Sequence, residues 1–415
     1  MRESPRRELL TIQKKLWKLN KQIIEDSVLV KEPGFEAYEK AYCKAVAKYI
    51  RVADEDEMIE KALSSDVIYV GDYHTCNQSQ RSFLRILKSV IKHDNNFCVG
   101  LELLHKSHQH ILDKYFSGKI SEKTFLKKIK LQEHWVFDLW ENFKPLFDFC
   151  RYHHIKIFAI DAASKGSYLR ARDKASAKLI AEIISKNPKK RFFIFIGDLH
   201  IAPLHLPSDV CREFIRRKIK KTDLTLYENS DAIYWQLAND GIDDYVEIVK
   251  LPDGSFCRMH TPPVVCQRSY LNWLEHEEGE IDYADAKTSF LEIVDRIAEF
   301  LDIKLGKMRD EVEIFTSGDL SFLKHLEERG DFSKSELRII KKQIFASESY
   351  YIAKAKVVYL ANLSINHAAE EAAHFIKSVC SGPEQPRFVV DAFYANILHE
   401  ALGFFGSKLI NHKRK

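Results

Sequence analysis

Apolar residues in the first stretch of the chain recur every three or four positions: Leu9, Ile12, Leu16, Leu19 and Ile23. That spacing predicts an amphipathic helix with its apolar seam turned to the body of the protein. Similar spacing predicts a helix over Phe35–Arg51 and an acidic one running to Glu60. The pattern then changes. Short runs rich in Val, Ile, Phe and Tyr predict buried strands at Val67–Val70, Cys98–Leu103, Lys156–Ile160, Arg191–Ile196 and Leu224–Tyr227. Helical patterns lie between them at Gln78–Lys92, Gln109–Phe116, Glu122–Leu131, Leu139–His153 and Leu169–Ser185. Strands alternating with helices in this way predict an α/β fold, a mostly parallel sheet flanked by helices. Pro252-Asp253-Gly254, between Tyr245–Lys250 and Phe256–His260, predicts a closing hairpin.

Thr261-Pro262-Pro263 and the acidic stretch Glu275–Glu280 mark a boundary. Beyond it the spacing predicts helices over Ala284–Leu301, Leu320–Arg329, Ser333–Phe345, a long segment near Tyr350–Val379, and Val389–Phe405. Ser333-x-x-Glu336 has the form of a capping box. The expected division is therefore helices packed on the body over 1–60, an α/β domain over 61–265 and a smaller all-helical domain over 280–415.

Length and charge narrow the partners. A chain of 415 residues exceeds the size at which one core usually stops growing. The 64 basic and 60 acidic residues leave a net charge of +4, which gives no reason to invoke nucleic acid or a membrane surface. A small-molecule ligand is the expected partner, and a homo-oligomer stays open. No run approaches the ~18 apolar residues of a membrane span. Nothing after the charged start Met1-Arg2-Glu3 resembles a leader. Eight cysteines without a Cys-x-x-Cys pair fit a reducing compartment, so a cytoplasmic location is expected.

Two of the strand runs end alike, in Gly71-Asp72-Tyr73-His74 and Gly197-Asp198-Leu199-His200. Ligands of open α/β sheets bind at the carboxyl ends of the strands. The repeated tip therefore predicts one crevice on which His74 and His200 converge. Within each tip the aspartate is two residues from the histidine, so in an extended segment Asp72 would face His74, and Asp198 would face His200. A carboxylate there fixes the imidazole tautomer and raises its basicity. Asn77-x-x-Gln80 resembles a capping pair, placing a helix N-terminus just past His74 that would lower the imidazole pKa. Glu102 stands in an apolar strand, costly to bury unless paired. With the two histidines it would form a His₂Glu metal set of catalytic type; as an alternative it pairs with Arg172. Arg172-Asp173, opening a helix, would clamp an anionic group or simply begin the helix. The catalytic candidates are thus His74, His200 and Glu102, the first choice for a metal as well. Asp72, Tyr73, Arg172, Asp173 and Asp198 are the ligand-binding candidates.

With these residues in view, the segment Asp66–Pro207 resembles the ChaN-like family, within the broader group of TraB, Tiki and erythromycin-esterase-like proteins. The family's Gly-Glu-x-His is matched by Gly71-Asp72-Tyr73-His74, with Asp72 one methylene shorter than the usual Glu. Its next acidic strand end is matched by Glu102, and its Trp-rich helix by Trp135, Trp140 and Pro145. Its Arg-Asp pair is matched by Arg172-Asp173, and its Gly-x-x-His by Gly197 and His200. The resemblance implies haem or iron binding for ChaN-like members, metal-dependent proteolysis for Tiki relatives and hydrolysis by a histidine base for esterase relatives. The expected cofactor is accordingly haem or a divalent metal ion. A third reading is a non-catalytic scaffold that binds a partner protein.

In the C-terminal region His367-x-x-Glu370-Glu371-x-x-His374 lies on a helical pattern. His367 and His374 would be about 10.5 Å apart along the axis, too far to share an ion. Glu371 and His374 have the i, i+3 spacing of di-iron bundles, without a matching pair on another helix. They are secondary candidates, with a polar stripe between helices as the plainer explanation.

Overall fold

The computed structural model describes residues 5–27, 34–130, 140–164, 167–274, 285–316, 319–345, 349–361, 364–382 and 387–412. Trp135 and the acidic stretch Glu275–Glu280 lie outside the described residues. The chain divides into two compact units, one of Leu10–Trp273 and one of Leu274–Lys415 with Met1–Leu9.

The first unit is a three-layer α/β/α structure. Its strands are β1 (Arg51–Ala53), β2 (Val67–Asp72), β3 (Phe97–His105), β4 (Ile157–Asp161), β5 (Arg191–Gly197), β6 (Asp223–Glu228), β7 (Ile248–Lys250) and β8 (Phe256–Arg258). They form one eight-stranded sheet in the order β1-β7-β8-β6-β2-β5-β3-β4. From β8 through β4 all pairings are parallel. The anticipated hairpin β7–β8 is antiparallel and carries β1 on its outer edge.

Alternation along the strands feeds the two faces. Ile68 and Val70 of β2, with Phe193 and Phe195 of β5, enter one core. The ring of Phe83 stacks on Phe195 there at 4.4 Å. Val67, Tyr69, Phe192, Ile194 and Ile196 enter the other. Side chains this fully buried each contribute roughly 1.5–3 kcal/mol to holding the layers together. The first face is covered by α3 (Glu55–Leu63), α4 (Asn77–Val90), α5 (Gln109–Phe116), α6 (Glu122–Ile129) and α7 (Trp140–Tyr152). The second carries α8 (Leu169–Lys186), α9 (Leu206–Arg217) and α10 (Asp231–Asp240), with α11 (Pro263–Leu274) ending the unit.

The N-terminal helices depart from expectation in detail. From Leu10 onward α1 (Pro5–Ser27) packs within this unit through Trp17, whose Nε1 donates to Asp231 Oδ2 at 2.7 Å and whose ring meets Trp235 edge-on. That anchoring rotates the predicted seam outward, so Leu16, Leu19 and Ile23 are exposed. The second helix, α2 (Phe35–Ala45), ends before Arg51, which pairs as a strand with Lys250.

The C-terminal unit is helical in the main: α12 (Ala286–Phe300), α13 (Ser321–Arg329), α14 (Lys334–Phe345), α15 (Ile365–Ser381) and α16 (Val389–Ile410). The capping box forms, with Glu336 N–H donating to Ser333 Oγ and Ser333 N–H to Glu336 Oε2. A small sheet stands where no strand was expected: β9 (Glu313–Thr316), β10 (Tyr350–Ile352) and β11 (Val357–Leu360), ordered β10-β11-β9. The long helix read from Tyr350 onward is therefore a hairpin followed by a shorter helix. Its first part, with Tyr350, Tyr351, Val357, Val358 and Tyr359, is made of β-branched and aromatic residues that fit a pleated surface.

Candidate functional site

The register of β2 against β5 fixes the geometry. Gly71 pairs with Ile196 and Asp72 with Gly197, so the two Gly-Asp-x-His tips lie side by side at the carboxyl edge of the sheet. β3 is the next strand beyond β5, and β4 follows it, which brings Glu102 and Asp161 to the same edge. Where β3 pairs with β4 the register shifts between Leu101 and His105, around Glu102.

His74 is held as the sequence predicts. Its Nδ1 donates to Asp72 Oδ2 at 2.8 Å. Asp72 Oδ1 accepts in turn from Gln80 Nε2 at 2.5 Å. Gln80 is therefore a partner of the site and not a capping partner of Asn77, and the N-cap of α4 is Cys76. The expectation that the helix end would lower the His74 pKa is reversed. Burial pulls it down, but the charge and hydrogen bond of Asp72, with Glu102 behind, outweigh that and raise it.

His200 is oriented differently from the prediction. Past Gly197 the chain leaves the extended conformation and enters a 3₁₀ turn over Asp198–Ile201. The two-residue alternation no longer applies there, and Asp198 does not face His200. Asp173 takes that role, accepting from His200 Nδ1 at 2.5 Å. Asp173 is fully buried and also accepts from Tyr38 Oη at 2.6 Å. Tyr38 lies on α2, stacks on His205 at 3.7 Å and meets the His200 ring edge-on. A lone tyrosine in an amphipathic helix gave no sequence signal of this contact.

Both imidazoles face Glu102. His200 Nε2 is 3.6 Å from Glu102 Oε1. A Cβ added at Gly197 would lie 3.2 Å from His74 Nε2 and 3.5 Å from Glu102 Oε2, so the glycine keeps that space open. Arg172 Nη2 donates to Glu102 Oε1 at 2.7 Å and lies 3.7 Å from Asp161. The Gly197 N–H donates to Glu102 Oε2 at 2.8 Å. Burial pushes the Glu102 carboxyl up, but Arg172 and the two imidazoles hold it down at about 2. His200 is raised, because Glu102 and Asp173 outweigh its burial. The ion pair weighed as an alternative for Glu102 thus exists and forms the centre of the cluster.

The metal reading is corrected by this arrangement. Among the described residues no three His, Cys, Asp or Glu side chains are placed to hold one ion. The guanidinium on Glu102 puts a positive charge where the third metal ligand would be needed.

Asp198 and Tyr73 turn away from this pair of histidines. Asp198 Oδ1 packs against Gly71, where a Cβ would overlap it, and has no hydrogen-bond partner among the described residues. Burial and the neighbouring Asp72 raise its pKa far above the usual carboxylate range. Tyr73 neighbours Cys76, Cys266 and Tyr270, and burial raises its phenol.

In the C-terminal unit, Glu371 and His374 are buried on α15 at its contact with α16. His374 Nε2 donates to the His399 carbonyl at 3.0 Å, and its ring stacks on His399 at 3.5 Å. Gly403 and Gly406 let α16 approach, since a Cβ at Gly406 would stand 2.6 Å from Ala373 Cβ. These two candidates are explained as a polar contact between tightly packed helices.

Residues 58–169 match the family model described as haem-binding uptake, Tiki superfamily, ChaN. That span contains Asp72, His74 and Glu102 and ends before Arg172 and His200. No curated protein matches. Among solved structures the chain is similar to one titled cofacial heme binding to ChaN of Campylobacter jejuni. That likeness is 16% identical, covers 43% of this chain and 87% of that one, and has a TM-score of 0.34. It is also similar to the type III effector HopBA1, at 13% identity, covering 52% of this chain and 97% of that one, with a TM-score of 0.34. Among the described residues, no helix is long and apolar enough to cross a membrane.

Proposed function

We propose that the α/β unit binds haem, or an anionic small ligand of that kind, at the carboxyl edge of β2, β5 and β3. The observation that carries this reading is the convergence of two aspartate-backed imidazoles, His74 and His200, on the Glu102–Arg172 pair, within a chain whose ChaN segment supplies half of the set. Of the two imidazoles His74 is the one a ligand can reach, with 25% of its side chain exposed against 6% for His200.

The residues suit haem. Asp72 on Nδ1 leaves Nε2 as the donor atom and makes it more basic, as carboxylate partners do for imidazoles bound to iron. Gly197 leaves space beside that atom. Bound haem would supply a Lewis-acidic iron centre. The chain's own part is to fix the His74 tautomer through Asp72 and Gln80, and to present the partly exposed Arg172 to anionic groups. Titration of the purified protein with hemin tests this. A red-shifted Soret band at one equivalent is expected, lost in His74→Ala. An unchanged band in that variant refutes the assignment.

A hydrolytic role is favoured by one observation: each imidazole carries its own carboxylate, the arrangement of a general base. In that reading His200 and Asp173 act beside Glu102. If ester or peptide hydrolysis is found, His200→Asn should reduce it by about 10²-fold or more; unchanged turnover removes the hydrolase reading.

A further inference from the structure

A second cluster lies on the other side of the β2 tip. Cys76 is the N-cap of α4, two residues past His74, and Cys266 stands in the first turn of α11. Both are free thiols, 5% and 8% exposed. The two side chains lie against one another. Thr261 sits against both, with its Oγ1 4.0 Å from Cys76 Sγ and its carbonyl oxygen 3.9 Å from Cys266 Sγ. Asn229 Nδ2 donates to Cys266 Sγ at 3.3 Å. A second contact ties the same two elements, Thr75 Oγ1 to Ser269 Oγ at 3.0 Å. His260, just past β8, joins the cluster through its Nδ1, 2.7 Å from Thr261 Oγ1, and its Nε2 is 2.9 Å from Glu228 Oε2. The two sulfurs are thus held together from several directions, although 190 residues separate them in sequence.

We propose that Cys76 and Cys266 are a reversible redox pair, oxidised to a disulfide by a small hydroperoxide. Their burial selects an oxidant of that size over a bulky disulfide such as oxidised glutathione. In the first step the Cys76 sulfur attacks one peroxide oxygen. An S–O bond forms and the O–O bond breaks. The departing hydroxide takes the thiol proton and leaves as water. In the second step the Cys266 sulfur attacks Cys76 Sγ, the S–S bond forms and the S–O bond breaks. Hydroxide leaves with the Cys266 proton as a second water. Two thiols lose two electrons and two protons, and one hydrogen peroxide becomes two waters. The bond would fasten the β2–α4 junction to α11. The proposal is independent of what the crevice binds.

The full-length protein, reduced and desalted, is treated with one to ten equivalents of hydrogen peroxide. It is then alkylated under denaturing conditions and mapped by mass spectrometry. A peptide pair linked through Cys76 and Cys266 is expected, the two thiols disappearing together and both returning with dithiothreitol. The exposed Cys211 and Cys380 serve as internal references. In Cys266→Ser, Cys76 should stop at the sulfenic acid and be labelled by dimedone. The inference is overturned if the references have lost half their alkylation while no linked peptide has formed. It is equally overturned if Cys76 is consumed while Cys266 stays alkylatable. Because the linkage is read in the unaltered protein, poor folding of the variant does not rescue the idea.

Discussion

Replacing Arg172 with methionine removes the positive charge on the buried Glu102 while keeping much of the side-chain volume. Glu102 holds its carboxyl at about 2 against an ordinary value of 4.5, chiefly through Arg172. A carboxyl depressed to that extent on folding adds about 3 kcal/mol at neutral pH. Arg172 is 31% exposed, so water already screens part of its effect, and its share is about 2 kcal/mol. For a unit of this size that predicts a fall in Tm of about 4–8 °C at pH 7. The sign with pH follows from a depressed carboxyl. Its stabilisation is fully present above pH 4.5 and is lost as pH falls through about 2, so the variant should lose less than the parent between those limits. The assay is convenient, because all five tryptophans fall within Leu10–Trp273 and their fluorescence reports this unit. Adding Glu102→Gln should restore part of the loss, since the stranded charge is then gone. A Tm for Arg172→Met within 1 °C of the parent, with the same acid limb, would refute the electrostatic account.

Asp72→Asn should lower the His74 pKa, because the strongest influence raising it is removed while burial still acts; an NMR titration reads this directly. The same shift sets a stability window. A raised imidazole stabilises fully below pH 6.5 and loses that contribution as pH rises through its folded value, so the variant should show a flatter profile there. Gly71→Ala drives a methyl into Asp198 Oδ1 in a buried strand and should cost about 1–3 kcal/mol or more in thermal melts. Gly406→Val pushes α16 from Ala373 and the Ala369 carbonyl, and a loss of about 1–3 kcal/mol should appear in circular-dichroism unfolding. Stability unchanged in either glycine variant would show that the close approach is not tight.

The framework of the first unit was legible because its strands are continuous apolar runs broken by charged helices, from Val67 to Tyr227. The pairing of the two tips was legible for the same reason, since a repeated glycine and histidine after such runs marks one sheet edge. The partner of His200 was not. Asp198 is two residues away, but the chain coils after Gly197, and the true partner, Asp173, comes from another helix. Tyr38, which steadies Asp173, is tertiary information with no local trace. Gln80 was visible but misassigned, because capping and side-chain bridging use the same residue types. In the C-terminal region a run of tyrosines and valines next to a true helix start at Ile365 blurred the boundary between strand and helix.

The strand order has a consequence for how the molecule is made. β5 lies between β2 and β3, yet it is synthesised after both and after β4. Val67 pairs with Phe192, some 125 residues on, a loop closure that costs about 4 kcal/mol in chain entropy before any contact is made. A nascent chain that stops short of Arg191 therefore carries β2 and β3 with raw edges and only one of the two histidines. Folding of this unit should be slow and dependent on the completed chain. The portion most readily recognised by its sequence, residues 58–169, is not a piece that can assemble the sheet by itself.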